Sequence, residues 1–290
     1  MKKTRFLIAD IIYICMMILP ILAGIILKVL TTPEAEGISI TGAQIYLNIP
    51  FPVQNLIITS AQINSWLVMI SITGLCLYLT HGLKTKGILK RQHLAEWIVE
   101  NVDGLVRQNM GEYFSSFAPF VASIIALSAF SSLMSLVGLY PPTSDLNVVA
   151  GWAVIAFILI LYYKLKCGPL YYLKGLTSPV LLTPLNVIGE IATPVSMAFR
   201  HYGNVLSGAV ISVLIAAGLQ GLSSIVLGWL PGFLGEIPFL QIGIPAVLSI
   251  YFDVFSGCLQ AYIFAMLTMM YISDGFPAEE YSKRKLKNNN

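Results

Sequence analysis

The sequence contains few charged residues. Asp, Glu, Lys and Arg together make up 11% of the 290 residues, whereas soluble domains carry about 25%. Hydrophobic residues make up 57% of the chain, and the mean hydropathy is +0.79. A soluble fold could not keep so many apolar side chains away from water, so the chain is expected to lie in lipid. The net charge of +3, spread over short clusters, is too small to indicate a nucleic-acid partner.

The residue types that usually carry enzyme chemistry or bind metals are also scarce. The three histidines have no zinc-type spacing, and none of the four cysteines forms a CxxC pair. The sequence contains no GxxxxGK[ST] phosphate loop, no HExxH motif and no Ser/His arrangement typical of hydrolases. We therefore expect no cofactor, no metal site and no enzymatic activity, and we interpret the cysteines as small buried hydrophobes.

Long apolar runs predict the membrane spans. The first follows the basic sequence MKKTR, but it is too long for a signal peptide, so we interpret it as a retained anchor. The third and fourth runs are joined by the short linker PPTSD and should form a helical hairpin. Six spans are expected, at about Phe6–Leu30, Ile63–Leu83, Phe117–Tyr140, Asn147–Tyr163, Pro184–Leu230 and Ile244–Ile272.

The fifth run is more than twice as long as the roughly 20 residues that one span needs. It is either two helices broken near Pro194 or one long, steeply tilted helix. Between the second and third runs, apolar residues recur on one helical face with charges opposite, which predicts an amphipathic helix at the membrane surface. These apolar residues are Leu94, Ile98, Val102 and Leu105.

These patterns indicate an all-α membrane protein. We divide it into an N-terminal anchor helix with an outer segment (1–62), a membrane core (63–273) and a basic tail (274–290). Fifteen of the 17 Lys and Arg fall at the N-terminus, in 84–107, in 164–174 or in the tail. Six passes place all four groups on one side, so the positive-inside rule predicts that both termini are cytoplasmic.

One cation, Arg200, has no loop in which to lie. An Arg at the centre of a bilayer costs at least ~2.5–3.5 kcal/mol, so it needs a compensating interaction or a function. Snorkelling to an interface is disfavoured by the apolar turns on both sides, but an ion pair with Glu190 or Asp253 remains possible. Arg200 belongs to a polar stripe expected on one helical face, formed by Glu190, Thr193, Arg200, Asn204 and Ser207.

A second polar stripe is expected on the last span, where Asp253, Ser256, Gly257 and Gln260 recur at helical spacing. Two such stripes on neighbouring helices would line a polar path through lipid. Asp145 has two open interpretations, because it could cap the next helix or take part in ion entry. Glu190 could likewise face the cytoplasmic headgroups rather than the path.

Three motifs occur in order: PPTSDLN, TPLNVIGEIATPVSMAFRHYGNVLSG and LQAYIFAMLTMMYIS. Together they resemble the a subunit of F-type ATP synthases, with its TADLN-like hairpin turn, its P-S-x-x-x-R-x-x-G-N core and its closing L-Q-A-x-I-F run. The resemblance covers roughly Ile63–Ser273, so the first span and its outer loop look like an N-terminal addition.

The resemblance implies roles for the matching residues. Arg200 matches the essential arginine that faces the rotating c-ring, Asn204 and Gln260 match polar residues near it, and Asp145 matches the hairpin aspartate near the outer half-channel. Members of the family often carry a carboxylate nine residues after the arginine and a histidine seven before the glutamine. This chain has Ala209 and Asp253 there, so Asp253 is expected to act as the relay of the outer half-channel.

The implied function is that of an ion-translocating stator in the plasma membrane of a bacterium. Its partners would be the c-ring, the b subunits of the peripheral stalk and the other synthase subunits, and its ion H⁺ or Na⁺. Ions would enter past Asp145 and Asp253 and leave near Glu190, with Arg200 separating the two half-channels. The alternative is a stand-alone secondary transporter, which predicts internal repeats that we do not find.

Overall fold

A computed structural model describes residues 2–31, 42–52, 55–84, 90–166, 168–227 and 243–276. This part of the chain is an all-α membrane protein with six helical segments long and apolar enough to cross a bilayer, as the sequence predicted. Residues 1, 32–41 and 53–54 of the N-terminal segment and 277–290 of the tail lie outside the described residues.

The elements of secondary structure follow the predicted runs closely. The helices are α1 Lys2–Thr31, α2 Ser60–Thr80, α3 Lys90–Met110, α4 Ala118–Leu133, α5 Leu146–Lys166, α6 Pro169–Leu176, α7 Thr183–Leu227, α8 Ile244–Ser249 and α9 Gly257–Gly275. A π-helical turn, Ile250–Ser256, joins α8 to α9. Short 3₁₀ turns flank α4 at Glu112–Phe117 and Met134–Val137 and form the hairpin linker at Pro142–Ser144.

The long apolar run is one helix, which settles the alternative that the sequence left open. α7 has 45 residues and continues through Pro194. At 1.5 Å per residue it is about 68 Å long, whereas the hydrocarbon core of a bilayer is about 30 Å thick. Such a helix cannot stand upright within the membrane, so it must tilt strongly or project beyond it.

The main core lies where α4, α5 and α9 meet the C-terminal half of α3. Val106 and Met110 of α3 are buried there together with Phe114, Ile160 and Met269. The N-terminal half of the predicted amphipathic face is not buried, since Leu94 and Ile98 are exposed. The helix therefore anchors one end in the core and offers the other end of its apolar face to the surroundings.

The N-terminal helix packs along α2. Their closest approach is at Gly74, where an added Cβ would lie 2.8 Å from the backbone nitrogen of Met17, so only glycine fits. Near the start of α1, the Asp10 carboxylate lies 2.8 Å from Nδ1 of His81 and 2.9 Å from Nη1 of Arg91. These contacts fasten α1 to the end of α2 and the beginning of α3.

Besides α6 and the 3₁₀ turns, two elements were not predicted. The outer segment, expected only to be poor in charge, contains an antiparallel pair of strands, β1 Ile45–Ile49 and β2 Leu56–Thr59. The hairpin leads directly into α2, and the backbone N–H of Ser60 donates to the carbonyl of Gln44 at 2.8 Å. The π-helical turn before α9 is the other unexpected element, and it carries Asp253.

Candidate functional site

Arg200 lies on an exposed face of α7. Helical spacing places the exposed Ser196, Asn204 and Ser207 beside it, and the exposed Ile211 and Leu214 about three to four turns further along the same side. No ion pair of Arg200 occurs within the described ranges, because Glu190 pairs with Lys164 and the side chain of Asp253 faces serine hydroxyls. The permanent ion pair that the sequence left possible is therefore not formed by either candidate. Arg200 is therefore an exposed cation without an ion pair in the described ranges, on a face that is polar next to it and apolar further along the helix.

The predicted polar stripe on α7 divides into two parts. Steps of about 100° per residue put Ser207 within about 20° of Arg200 around the helix, but put Glu190 about 80° away. His201 follows at about 100° on the same side as Glu190. Arg200, Asn204 and Ser207 are exposed, whereas Glu190 is half-buried and His201 is fully buried. The expectation of one continuous polar face was thus too simple.

The middle of α7 contacts the π-helical turn through small and polar residues. Nδ2 of Asn204 donates to Oγ of Ser256 at 2.8 Å. Gly208 packs so closely on Phe252 that an added Cβ would lie 3.0 Å from its ring. The hydroxyl of Ser207 instead donates to the carbonyl of Gly203 within the helix. The two predicted polar stripes therefore do meet, at Asn204 and Ser256.

Asp253 occupies the middle of the π-helical turn and is half-buried. The hydroxyls of Ser135, just beyond α4, and Ser249 lie near its carboxylate, and the Ser135 hydroxyl itself donates to the carbonyl of Ser132 at 2.9 Å. The wider π-helical turn changes the direction of the side chains between α8 and α9, a feature common at functional sites. Gln260, one helical turn beyond Ser256, is buried at 4% exposure.

A cavity of about 360 Å³ opens near Asp253, at the same end of the helices as the hairpin linker. Ser135 lines this cavity and lies near the carboxylate of Asp253, so the cavity ends close to that carboxylate. Tyr140 lines it as well. Burial and then the nearby carboxylate of Asp145 raise the pKa of the Tyr140 phenol, so it stays protonated and donates to the Ser144 carbonyl at 3.1 Å.

Asp145 caps the helix that follows it. Its Oδ1 accepts from the backbone N–H of Asn147 at 2.9 Å, and its carbonyl accepts from Val149. This is the N-cap arrangement that the sequence allowed. The second carboxylate oxygen lies 3.5 Å from the hydroxyl of Thr59, on the strand that precedes α2. Asp145 therefore caps α5 through Oδ1, while Oδ2 is directed toward the end of the β1–β2 strand pair.

A second cavity, of about 560 Å³, lies at the other end, between α5, α6 and α7. Glu190 lines it and forms an ion pair with Lys164, with 2.5 Å between Nζ and Oε1. The carboxylate therefore does not face the headgroups alone. Burial, followed by the charge of Glu190, raises the pKa of Tyr172 in the same cavity, so that phenol also stays neutral. Asn186 and Thr193 add further polar groups to the wall.

Sequence reasoning missed three residues of this region. Lys164 was counted only as a loop cation, Ser135 was not distinguished from other hydroxyls, and His201 was treated as a break in an apolar run. His201 is buried between Trp152 and Phe264, with Nε2 3.2 Å from the hydroxyl of Ser128. Its position one residue after Arg200 turns it by about 100° to another side of the helix, but the sequence does not show which residues it meets there.

Comparisons with known proteins agree with this arrangement. A family model described as ATP synthase A chain matches residues 62–273. The chain is 31% identical over 226 residues to ATP synthase subunit a of Desulforamulus reducens, covering 76% of this chain and 79% of that protein. It is 31% identical to ATP synthase subunit a 3 of Pelobacter propionicus, covering 72% and 83% of the two chains. Subunit a of Trichlorobacter lovleyi is 28% identical, with 73% and 85% covered. The matched region contains the Arg200 face and nearly all of the residues that line the Glu190 cavity, and this chain belongs to the ATP synthase A chain family.

Proposed function

We propose that this chain is the ion-translocating stator subunit of an F-type ATP synthase and works against a rotating ring of c subunits. The observation that carries the proposal is Arg200, a cation without an ion-pair partner in the described part of the chain, on an exposed face of a helix long and apolar enough to span the membrane. Because such a charge is costly in lipid, it needs an anionic group from outside this chain. A c-subunit carboxylate would supply that group each time it passes.

The two cavities support two offset half-channels. Ions would enter by the cavity at Ser135 and Tyr140 and reach Asp253, whose carboxylate is half-buried at the contact of α7 with the π-helical turn. From there the ion would pass to a c-subunit carboxylate beside Asn204 and Ser256. After rotation it would leave through the cavity that contains Glu190. The chemistry of ATP would take place on other subunits.

Arg200 would act as the separator between these paths. A fixed guanidinium favours the ionised form of a neighbouring carboxylate, so it promotes release of the bound ion before the carboxylate returns to the entry side. The same charge repels cations that would otherwise leak from one cavity to the other. Each ion crossing the membrane provides about 2.3 kcal/mol per 100 mV of potential, which is useful only if this leak is prevented.

The orientation follows from the distribution of charge. With both termini in the cytoplasm, the cavity at Glu190 and Lys164 opens to the cytoplasm and the cavity at Tyr140 opens outside. This orientation fits a multi-pass protein of a bacterial plasma membrane. The b subunits of the peripheral stalk would hold it still, and the transported ion would be H⁺ or Na⁺. We further propose 1–62 as an added anchor and outer segment, 63–273 as the working core and 274–290 as a cytoplasmic tail.

Cross-linking tests whether the Arg200 face meets the ring. Ser207 is exposed one and a half to two turns from Arg200 on nearly the same side of α7. In a background with the native cysteines replaced by serine, Ser207→Cys should form disulfide-linked adducts with cysteines placed along the outer helix of the c subunit. Ile155→Cys, exposed at 53% on α5, is the matched control and should form far fewer. Equal cross-linking from both positions, or purification of the chain without a c-ring, would favour a stand-alone transporter instead.

A further inference from the structure

The outer cavity is walled in part by the N-terminal segment, which lies outside the region matched by the family model. Lys28 from the last turn of α1 and Gln44 and Tyr46 from the outer segment line it beside residues of the core. The segment is firmly fixed there, since the hydroxyl of Ser60 accepts from the backbone N–H of Gln44 at 3.1 Å. The entry path therefore contains residues that the matched core alone does not supply.

Lys28 is the cation of this wall. Its ammonium group donates to the carbonyl of Gly138, the residue with φ 75° that ends the 3₁₀ turn after α4. Leu139, the next residue, packs on Ile21 and Ile25 of α1. These contacts hold the charge at the cavity rather than leaving it free to follow solvent. A helix-end carbonyl is a natural acceptor for lysine, so capping alone is the simplest competing explanation.

Lys28 also lies close to the proposed ion path, so its charge can act on the ions that enter. Ser135 lines the same cavity and lies near the carboxylate of Asp253, and Asp145 lies near Tyr140 at the same end. A cation that passes through this cavity toward Asp253 comes near the ammonium group of Lys28, which lines the same cavity. Because Lys28 is itself exposed, its effect on such a cation should depend on the salt concentration.

We propose that Lys28 controls access to the outer half-channel, lowering the local concentration of the driving cation and thereby setting the outside concentration at which the enzyme works. This inference rests on the proposed function, because it needs ions to enter through this cavity. It gives the added N-terminal segment a role in entry besides anchoring. For a unit charge ~10 Å from the ion and an effective dielectric constant between ~20 and ~80, Coulomb's law gives about a 2- to 16-fold change in local concentration.

The test uses the complete synthase in proteoliposomes, with ATP synthesis measured against the outside concentration of H⁺ or Na⁺, whichever drives the wild type. Lys28→Gln keeps a hydrogen-bond donor for Gly138 but removes the charge, whereas Lys28→Arg keeps the charge. At ~10 mM ionic strength, Lys28→Gln should lower the half-saturating ion concentration about 2- to 16-fold with little change in maximal rate. At ~1 M of an inert salt, where the Debye length falls to about 3 Å, the difference should shrink toward nothing.

Lys90→Gln is the matched control, since it removes the same charge from the exposed beginning of α3. It should leave the ion dependence of synthesis unchanged, as should Lys28→Arg. If Lys28→Gln matches the wild type at every salt concentration, or only lowers the maximal rate, Lys28 is a cap and the inference is overturned. If the wild-type complex makes no ATP from an ion gradient, the proposed function itself has failed, which is a different result.

Discussion

The packing of the π-helical turn can be tested at Gly257, the first residue of α9. A Cβ built at Gly257 would lie 2.7 Å from Cβ of Ser132 on α4, and that neighbour is itself buried at 3% exposure. Gly257→Ala must therefore push α9 and α4 apart. Gly203→Ala, on α7, is the matched control because an added Cβ there meets nothing within 4 Å.

The magnitude follows from the comparison of the two variants. Both replace a helical glycine with alanine, so the gain in helix propensity of roughly 1 kcal/mol is common to both and cancels in the difference. What remains is the overpacking at Gly257, typically about 1–3 kcal/mol. For a domain of this size, 1 kcal/mol shifts the melting temperature by about 2–4 °C. Gly257→Ala should thus melt about 2–12 °C below Gly203→Ala.

Thermal unfolding of the detergent-solubilised subunit measures this difference directly. Because the strain lies next to the turn that carries Asp253, Gly257→Ala should also lower ion-driven ATP synthesis, by weakening the contact between Asn204 and Ser256. Equal melting temperatures for the two variants would refute the close approach of α4 and α9 at this point.

Further predictions concern the carboxylates of the two half-channels. Asp253→Asn should sharply slow ion-driven ATP synthesis while assembly stays normal. Adding Ala209→Glu to that variant should recover part of the rate, because residue 209 follows Gly208, which packs on Phe252 next to Asp253. Lys164→Gln should slow synthesis because it leaves Glu190 half-buried without its cation, so that the carboxylate holds the departing ion more tightly. Lys164→Gln combined with Glu190→Gln should lose less than the sum of the two single changes, since the variants remove one shared interaction.

Each of these predictions has a clear opposite outcome. Unchanged synthesis in Asp253→Asn would assign the residue a packing role with Ser135 and Ser249. Strictly additive effects at Lys164 and Glu190 would mean that their ion pair has no part in ion exit. Western blotting and purification of the complex serve as the assembly control in both cases.

The membrane architecture could be predicted from the sequence because it depends on apolar run length alone. The six spans, the hairpin at PPTSD and the helical cap at Asp145 were all recovered within a few residues. The break or continuation at Pro194 could not be decided, because proline in a membrane helix is tolerated wherever neighbouring groups satisfy the freed carbonyl. In the structure, α7 continues through it.

The site was only partly predictable. Spacing along α7 and α9 identified Arg200, Asn204 and Asp253, and the structure brings Asn204 to the turn that carries Asp253. The partner of Glu190 could not be found, because Lys164 is 26 residues away and their pairing depends on how α5 and α7 pack. The π-helical turn left no signal either, since an i→i+5 pattern over seven residues does not alter hydropathy.

The central claim is that Arg200 keeps the two half-channels electrically apart while it promotes ion release. It is tested most directly by ion-driven ATP synthesis and passive ion leak in the same vesicles, reconstituted with the complete complex carrying Arg200→Ala. We predict loss of coupled synthesis with normal assembly and a raised leak. Arg200→Lys, which keeps the charge but not the planar fork, should also be severely impaired. Near-normal synthesis without added leak in Arg200→Ala would contradict the account.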